Sequence, residues 1–368
     1  MRPFLPDIPV IYFHSIGVRR SSWPRSFLTA SADDADRFFR FISDRYQSIH
    51  LREYYDIRSG ISARKGNPIV ITFDDGYLDN WIYAFPLLKK HSLKATIFVS
   101  PEFTDSRDIM RGDDSVPGFL SWREMRGMEA SGLIDIQSHT LTHTKYFTSD
   151  RLTGFHHPGN DILYPAGNLF PERKPYHIGD ENFEKLLPYG YPLFEEESAI
   201  TARRVSISEE FINEIVAQLR GYDFSSYNFS EAFGMVRAVY EKYRNNEMII
   251  THREGDRGYS ERINSEISGS KMIIERELGK KVEFLCWPHG DNNSLLHRKA
   301  LDAGYLMTTI GNSVIIEDEI STRIPERLGI DYSSFRSRVK ARFKVLAFSG
   351  LFPYRQAVLL ARFVKSDK

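Results

Sequence analysis

The chain has 368 residues, 41% hydrophobic and 27% charged, with 49 Lys or Arg against 49 Asp or Glu. That length and balance suit a large soluble α/β domain with an insertion, or two domains, and exclude a chain too polar to bury a core. The lone Cys286 excludes intrachain disulfides, and no run reaches the roughly 18 apolar residues that a spanning helix needs.

In chain order, the N-terminal stretch MRPFLPDIPVIYFHSIG is broken by Pro3, Pro6, Asp7 and Pro9, so no secretory signal is expected. PVIYFH then reads as a short strand ending at His14, and SADDADRFFRFISDRY as a helix capped by Ser31. IVITFDD is a strand, YAFPLLKKHSL a helix, KATIFVS a strand, SWREMRGMEASG a helix capped by Ser121, and LIDIQSH a strand. Beyond a long interruption, SEISGSKMIIERELGK is a helix, VEFLCWPHG a strand and turn, LLHRKALDAG a helix and YLMTTI a strand. Alternation of this kind implies parallel strands with helical crossovers, in an open sheet or a barrel. Chemistry then collects at the carboxyl ends of the strands.

His14, Asp74, Asp75, His139 and His289 all fall at such ends. In QSHTLTH, His139 and His143 are four apart, which on a helical turn places both imidazoles within reach of one ion. Two imidazoles and a strand-end carboxylate make a facial set that leaves positions open for water and substrate, as a catalytic Zn²⁺ site requires. Asp75 can then hold the cation, whose charge offsets the cost of burying it beside Asp74. Asp74 stays free to take a proton from water.

TFDDG, SHTLTH and CWPHG, in this order, resemble the polysaccharide deacetylases of the NodB homology family, carbohydrate esterase family 4. The resemblance covers residues 8–143 and about 260–330. It implies a distorted (β/α) barrel and metal-dependent removal of acetyl groups from N-acetylated sugars. Motif matching makes Asp74 the base, and Asp75, His139 and His143 the ligands of a divalent metal, expected to be Zn²⁺. Cys286 stands where many members carry the Arg that orients the base. IPVIYFHSIG resembles the opening strand of the circularly permuted subgroup, which implies His14 as the general acid. Arg327, in IPERLGID, becomes the substitute orienter of Asp74. Trp287, Pro288, His289 and Gly290 are expected at the substrate, Trp287 in a sugar platform and the His289 amide at the oxyanion.

Residues 1–143 and 261–331 are thus expected to form two parts of the barrel. Residues 144–260 form a mixed insertion over the active site, loop-like in its first half and helical in its second, with His156 and His157 facing solvent. Residues 332–368 carry a net charge of +8 against −8 for the remainder. Phe335, Val339, Phe343 and Leu346 recur there at helical spacing among cations, which suits either a docked last helix or, over 335–365, peripheral contact with an anionic membrane. The expected setting is the cytoplasm, at the inner membrane face, with an N-acetylated glycan as partner and no nucleic acid. A metal amidohydrolase acting on a non-sugar or nucleotide-sugar substrate, or a degenerate glycan-binding protein, is the alternative.

Overall fold

The computed structural model describes residues 7–20, 25–113, 117–313 and 317–366; the first six residues and the last two of the basic tail lie outside them. Nine parallel strands build the main sheet. From one edge they run Arg323–Ile324, Met307–Thr309, Phe284–Leu285, Ile134–Ser138, Ala95–Val99, Pro68–Phe73, Val10–Phe13 and Leu328–Gly329, while Gln47–Ser48 pairs beside Pro68–Phe73. The two edge strands, 323–324 and 328–329, are separated by residues 325–327 alone. So short a link reaches only about 10–14 Å, and the sheet must curl until its edges nearly meet. Arg327 sits in that closing link.

The period-2 alternation of strands sorts each one into an outer and an inner face. Ile11, Ile69, Ile71, Ile97 and Ile136 face outward and pack with the surrounding helices. Val10, Val70, Phe98, Phe284, Cys286, Met307 and Ile324 form the separate cluster inside the curl. Each inner row continues one residue past its strand, from Tyr12 to His14 and from Thr72 to Asp74. Tyr12 and Thr72 are register partners, and the Asp74 N–H donates to the Phe13 carbonyl, so His14 and Asp74 emerge side by side at the carboxyl-end mouth.

The helices expected from capping are present. Ser31 accepts from the Asp34 N–H at the start of Ala32–Ser43, and Ser121 with Glu124 makes a capping box for Trp122–Glu129. The region from 145 to 253 adds no strand to the main sheet. It holds the helices Leu163–Leu169, Glu209–Gln218 and Phe229–Asn245 and two antiparallel pairs, Lys145–Phe155 with Pro192–Ser198 and Val205–Ile207 with Ile250–Arg253. The Pro- and Gly-rich stretch 156–191 is loop with short 3-10 turns and the one helix Leu163–Leu169, and the unexpected strands flank it. Phe147, Leu152, Phe155 and Phe194 of the first pair pack against Phe211, Val236 and Tyr240, and this tertiary packing holds the two strands on either side of the breaker-rich stretch.

His156 is not solvent-facing, while His157 is half-buried. His156 is buried, bonded to Asn160 Oδ1 at 2.6 Å and to the Glu184 carbonyl at 2.8 Å, and His157 stacks on Tyr227. The tail forms the helices Phe335–Phe348 and Tyr354–Ser366; Ala341, Val345 and Phe348 dock into the outer core, while Phe335 and Val339 remain 80% and 52% exposed.

Candidate active site

At the end of Pro68–Phe73 the backbone reverses through two residues in the left-handed region, Asp75 at φ 74° and Gly76 at φ 69°. Asp tolerates that region, and at Gly76 an added Cβ would meet Val99 Cγ1 at 2.8 Å, so the third letter of Asp-Asp-Gly has to be glycine. The reversal gives the two adjacent acids different partners. Both Asp74 oxygens accept from Arg327, at 2.7 Å each, in a forked pair. Arg327 also donates to Thr72 Oγ1 and Cys286 Sγ and lies over the Tyr12 ring. Burial would raise the Asp74 carboxyl, yet the Arg327 guanidinium holds it below its ordinary value. The small Cys286 leaves the room that Arg327 occupies.

Asp75 Oδ1 lies 3.2 Å from the Nε2 atoms of both His139 and His143. These two residues are not on a helical turn, as their spacing suggested. They bound a loop with left-handed φ at Thr140 and His143, 65° and 43°, and the fold brings their ring centres to 4.9 Å. The ligand atoms of Asp75, His139 and His143 all lie within 4.8 Å of one another, two nitrogens and one oxygen, a donor set that fits Zn²⁺. His139 Nδ1 donates to the Cys286 carbonyl at 2.8 Å, which turns Nε2 toward Asp75. Asp74, His139 and Cys286 are equally close together, but a cation among them would face the Arg327 guanidinium.

Burial opposes the charge on Asp75, and His143 and His139 nevertheless hold its carboxyl well below the usual range. Burial also opposes the protonated His139 ring, which its Cys286 and Asp75 partners lift well above its ordinary value, whereas His143 is driven below it by burial despite Asp75. A cation held among the three groups would compete with any proton they share.

These side chains share a cavity of about 1020 Å³, which His14, Trp287, His289, Gly290 and Arg327 also line. Pro288 does not line it; it is buried at the start of the turn Pro288–Gly290. Trp287 is 1% exposed and belongs to the outer core, with its indole Nε1 lacking a hydrogen-bond partner. A stacking platform needs an open ring face, which a side chain so buried does not offer. His289 stands against the His143 ring and bonds through Nε2 to Tyr164 Oη at 3.1 Å; burial pushes its pKa down to about 2. Tyr164 comes from the inserted region and accepts from Arg25, which pairs with Asp161. Sequence reasoning missed both, because neither lies in a motif; Lys145, Glu195 and Glu196 of the first antiparallel pair complete the far wall.

Residues 62–156, which include both acids, His139 and His143, match the polysaccharide deacetylase family model. Over that stretch the chain is similar to the polysaccharide deacetylases. It is 28% identical over 137 residues to YxkH of Bacillus subtilis (strain 168), a protein named among the polysaccharide deacetylases, across 37% of this chain and 43% of that one. It is 24% identical over 146 residues to the poly-β-1,6-N-acetyl-D-glucosamine N-deacetylase of Escherichia coli (strain K12), across 38% of this chain and 21% of that one. The matched segments thus span less than half the length of these relatives. The fold is similar to a de-N-acetylase from Aggregatibacter actinomycetemcomitans, with a TM-score of 0.54 and 20% identity over 90% of this chain and 98% of that one. It is likewise similar to the BpsB deacetylase domain from Bordetella bronchiseptica, with a TM-score of 0.51 and 18% identity over 88% and 96%. At these identities the structural likeness establishes the deacetylase fold, a curled parallel sheet with helices around it.

Proposed function

We propose that this protein is a deacetylase, a metal-dependent hydrolase that removes N-acetyl groups from an amino sugar within a glycan or lipid-linked glycan. The observation that carries the reading is the pairing of two acids with two environments: Asp75 with two imidazoles, and Asp74 forked on Arg327 beside them. Asp75, His139 and His143 would hold the cation, Zn²⁺ by donor set, which supplies Lewis-acid chemistry toward water and the acetyl carbonyl.

Asp74, kept ionised and oriented by Arg327, takes the proton of the attacking water. The His289 amide stabilises the oxyanion that develops on the former carbonyl. His14, beside Asp74 at the mouth, protonates the departing nitrogen, so acetate and a free amine leave. Arg327 at the base supports catalysis over binding alone, since it supplies the orienting guanidinium that Cys286 lacks.

Acetate release from N-acetylated glycans, lipid-linked sugars and nucleotide sugars, with and without prior chelation and Zn²⁺ reloading, tests the proposal. Release from a glycan that disappears on chelation and returns with Zn²⁺ is expected. Release from nucleotide sugars alone would favour the alternative substrate. The reading extends to the tail, where exposed Phe335 and Val339 stand among Arg336, Arg338 and Lys340 and suit peripheral contact with an anionic membrane. Co-sedimentation with phosphatidylserine vesicles should fall in a Phe335→Ser, Val339→Ser double variant; equal sedimentation removes this part of the reading.

A further inference from the structure

The loop 139–143 carries both imidazoles, yet with two residues in the left-handed region it makes no regular structure of its own. Its backbone groups are satisfied from outside. On one side Glu266, 1% exposed, accepts through Oε2 from the N–H groups of Leu141 and Thr142, at 3.0 Å each, and through Oε1 from Thr142 Oγ1 at 2.5 Å. Glu266 lies in the wide turn Ser265–Gly269, which interrupts a helical run between Asp256–Asn264 and Ser270–Leu278; inserted turns of this kind recur at functional sites. On the other side Lys174 Nζ, from the inserted region and 2% exposed at the residue level, donates to the Thr142 carbonyl at 3.3 Å and is ion-paired with Glu102. The Glu102 N–H closes the ring by donating to the Leu141 carbonyl at 3.2 Å.

We propose that Glu266 and Lys174 are positioning residues that clamp the 139–143 loop in the geometry its two imidazoles need, so that the inserted region is a working part of the metal centre. This rests on the reading of Asp75, His139 and His143 as metal ligands. A carboxylate that takes three donors from two adjacent residues holds their backbone more rigidly than a single bond would. The left-handed Thr140 and His143 flank that point, and such residues persist where the surrounding structure holds them, here together with the Thr140 N–H on Ser138 Oγ and Ser100 Oγ on the His139 carbonyl. Neither Glu266 nor Lys174 touches the substrate cavity, so each acts through the loop.

The test uses the full chain with Glu266→Gln, which removes the charge and turns an NH₂ toward Thr142, together with Thr142→Val and Lys174→Met. Zn²⁺ affinity is measured by competition with a chromophoric chelator, and amide exchange at residues 141 and 142 is measured in zinc-free protein. The clamp predicts Zn²⁺ binding weakened roughly 10- to 100-fold in Glu266→Gln, the range found when groups that orient metal ligands are lost. It also predicts faster exchange at both amides, and smaller changes in the same direction for the other two variants. Wild-type affinity and wild-type exchange in a folded Glu266→Gln overturn it. If that variant does not fold, unchanged affinity and exchange in Thr142→Val overturn it instead. If the wild-type chain takes up no Zn²⁺, the metal reading fails separately, and exchange in the zinc-free protein still decides the clamp.

Discussion

Asp74 and Asp75 differ by one position and by everything around them. Asp74→Asn leaves Asp75, His139 and His143, the proposed cation ligands, untouched, so Zn²⁺ content should stay at the wild-type level while turnover falls roughly 100- to 10,000-fold, the span ascribed to a positioned general base. Loss of metal in that variant would reassign the residue. Arg327→Lys replaces a planar fork with a point charge that can meet only one Asp74 oxygen at a time, so kcat should fall at least about tenfold with KM little changed. A rise in KM alone would place Arg327 in substrate binding. The four central residues were legible in the sequence because each pair sits within a single short segment at a strand end. Arg327 was legible through its position before the last strand. Glu266 and Lys174 were not: their partner Thr142 lies 124 and 32 residues away in sequence, and nothing local marks a buried carboxylate or ammonium as a clamp.

The elements divide along the same line between local and distant causes. Helices announced by caps formed where expected, and Ser121→Ala, which removes the acceptor for the Glu124 N–H, should cost about 1 kcal/mol in a denaturant titration. The antiparallel pair 145–155 with 192–198 was not legible, because its strands are joined by a long connection and their pairing is fixed by aromatic contacts with helices further along the chain. At the base of that region Arg262 donates to the carbonyls of Ala199 and Ala202 and pairs with Glu254 at 2.6 Å, tying the inserted segment to the helix Asp256–Asn264. Burial would raise the Glu254 carboxyl, but Arg262 holds it below its ordinary value. A group so depressed stabilises the fold above its unfolded pKa, and that stability is lost as pH falls through the folded value. Glu254→Gln should therefore lower the melting temperature at neutral pH and make no difference in strong acid. A deficit that persists unchanged into acid would show that packing, not the ion pair, was lost.

Across the whole molecule, a nearly closed parallel sheet brings the first strand, the Asp-Asp turn and the 325–327 link to one mouth, so groups more than 300 residues apart in sequence share one cavity. That convergence is why chain order alone, strand after helix after strand, pointed to the architecture, while the far wall from the inserted region stayed hidden until its fold was known. The central claim is that one divalent cation sits among Asp75, His139 and His143 with Asp74 beside it. Anomalous diffraction at the zinc absorption edge from Zn²⁺-loaded crystals tests it most directly. The account predicts a single strong peak within bonding distance of Asp75 Oδ and both Nε2 atoms; a zinc-loaded crystal with no anomalous density there would contradict it.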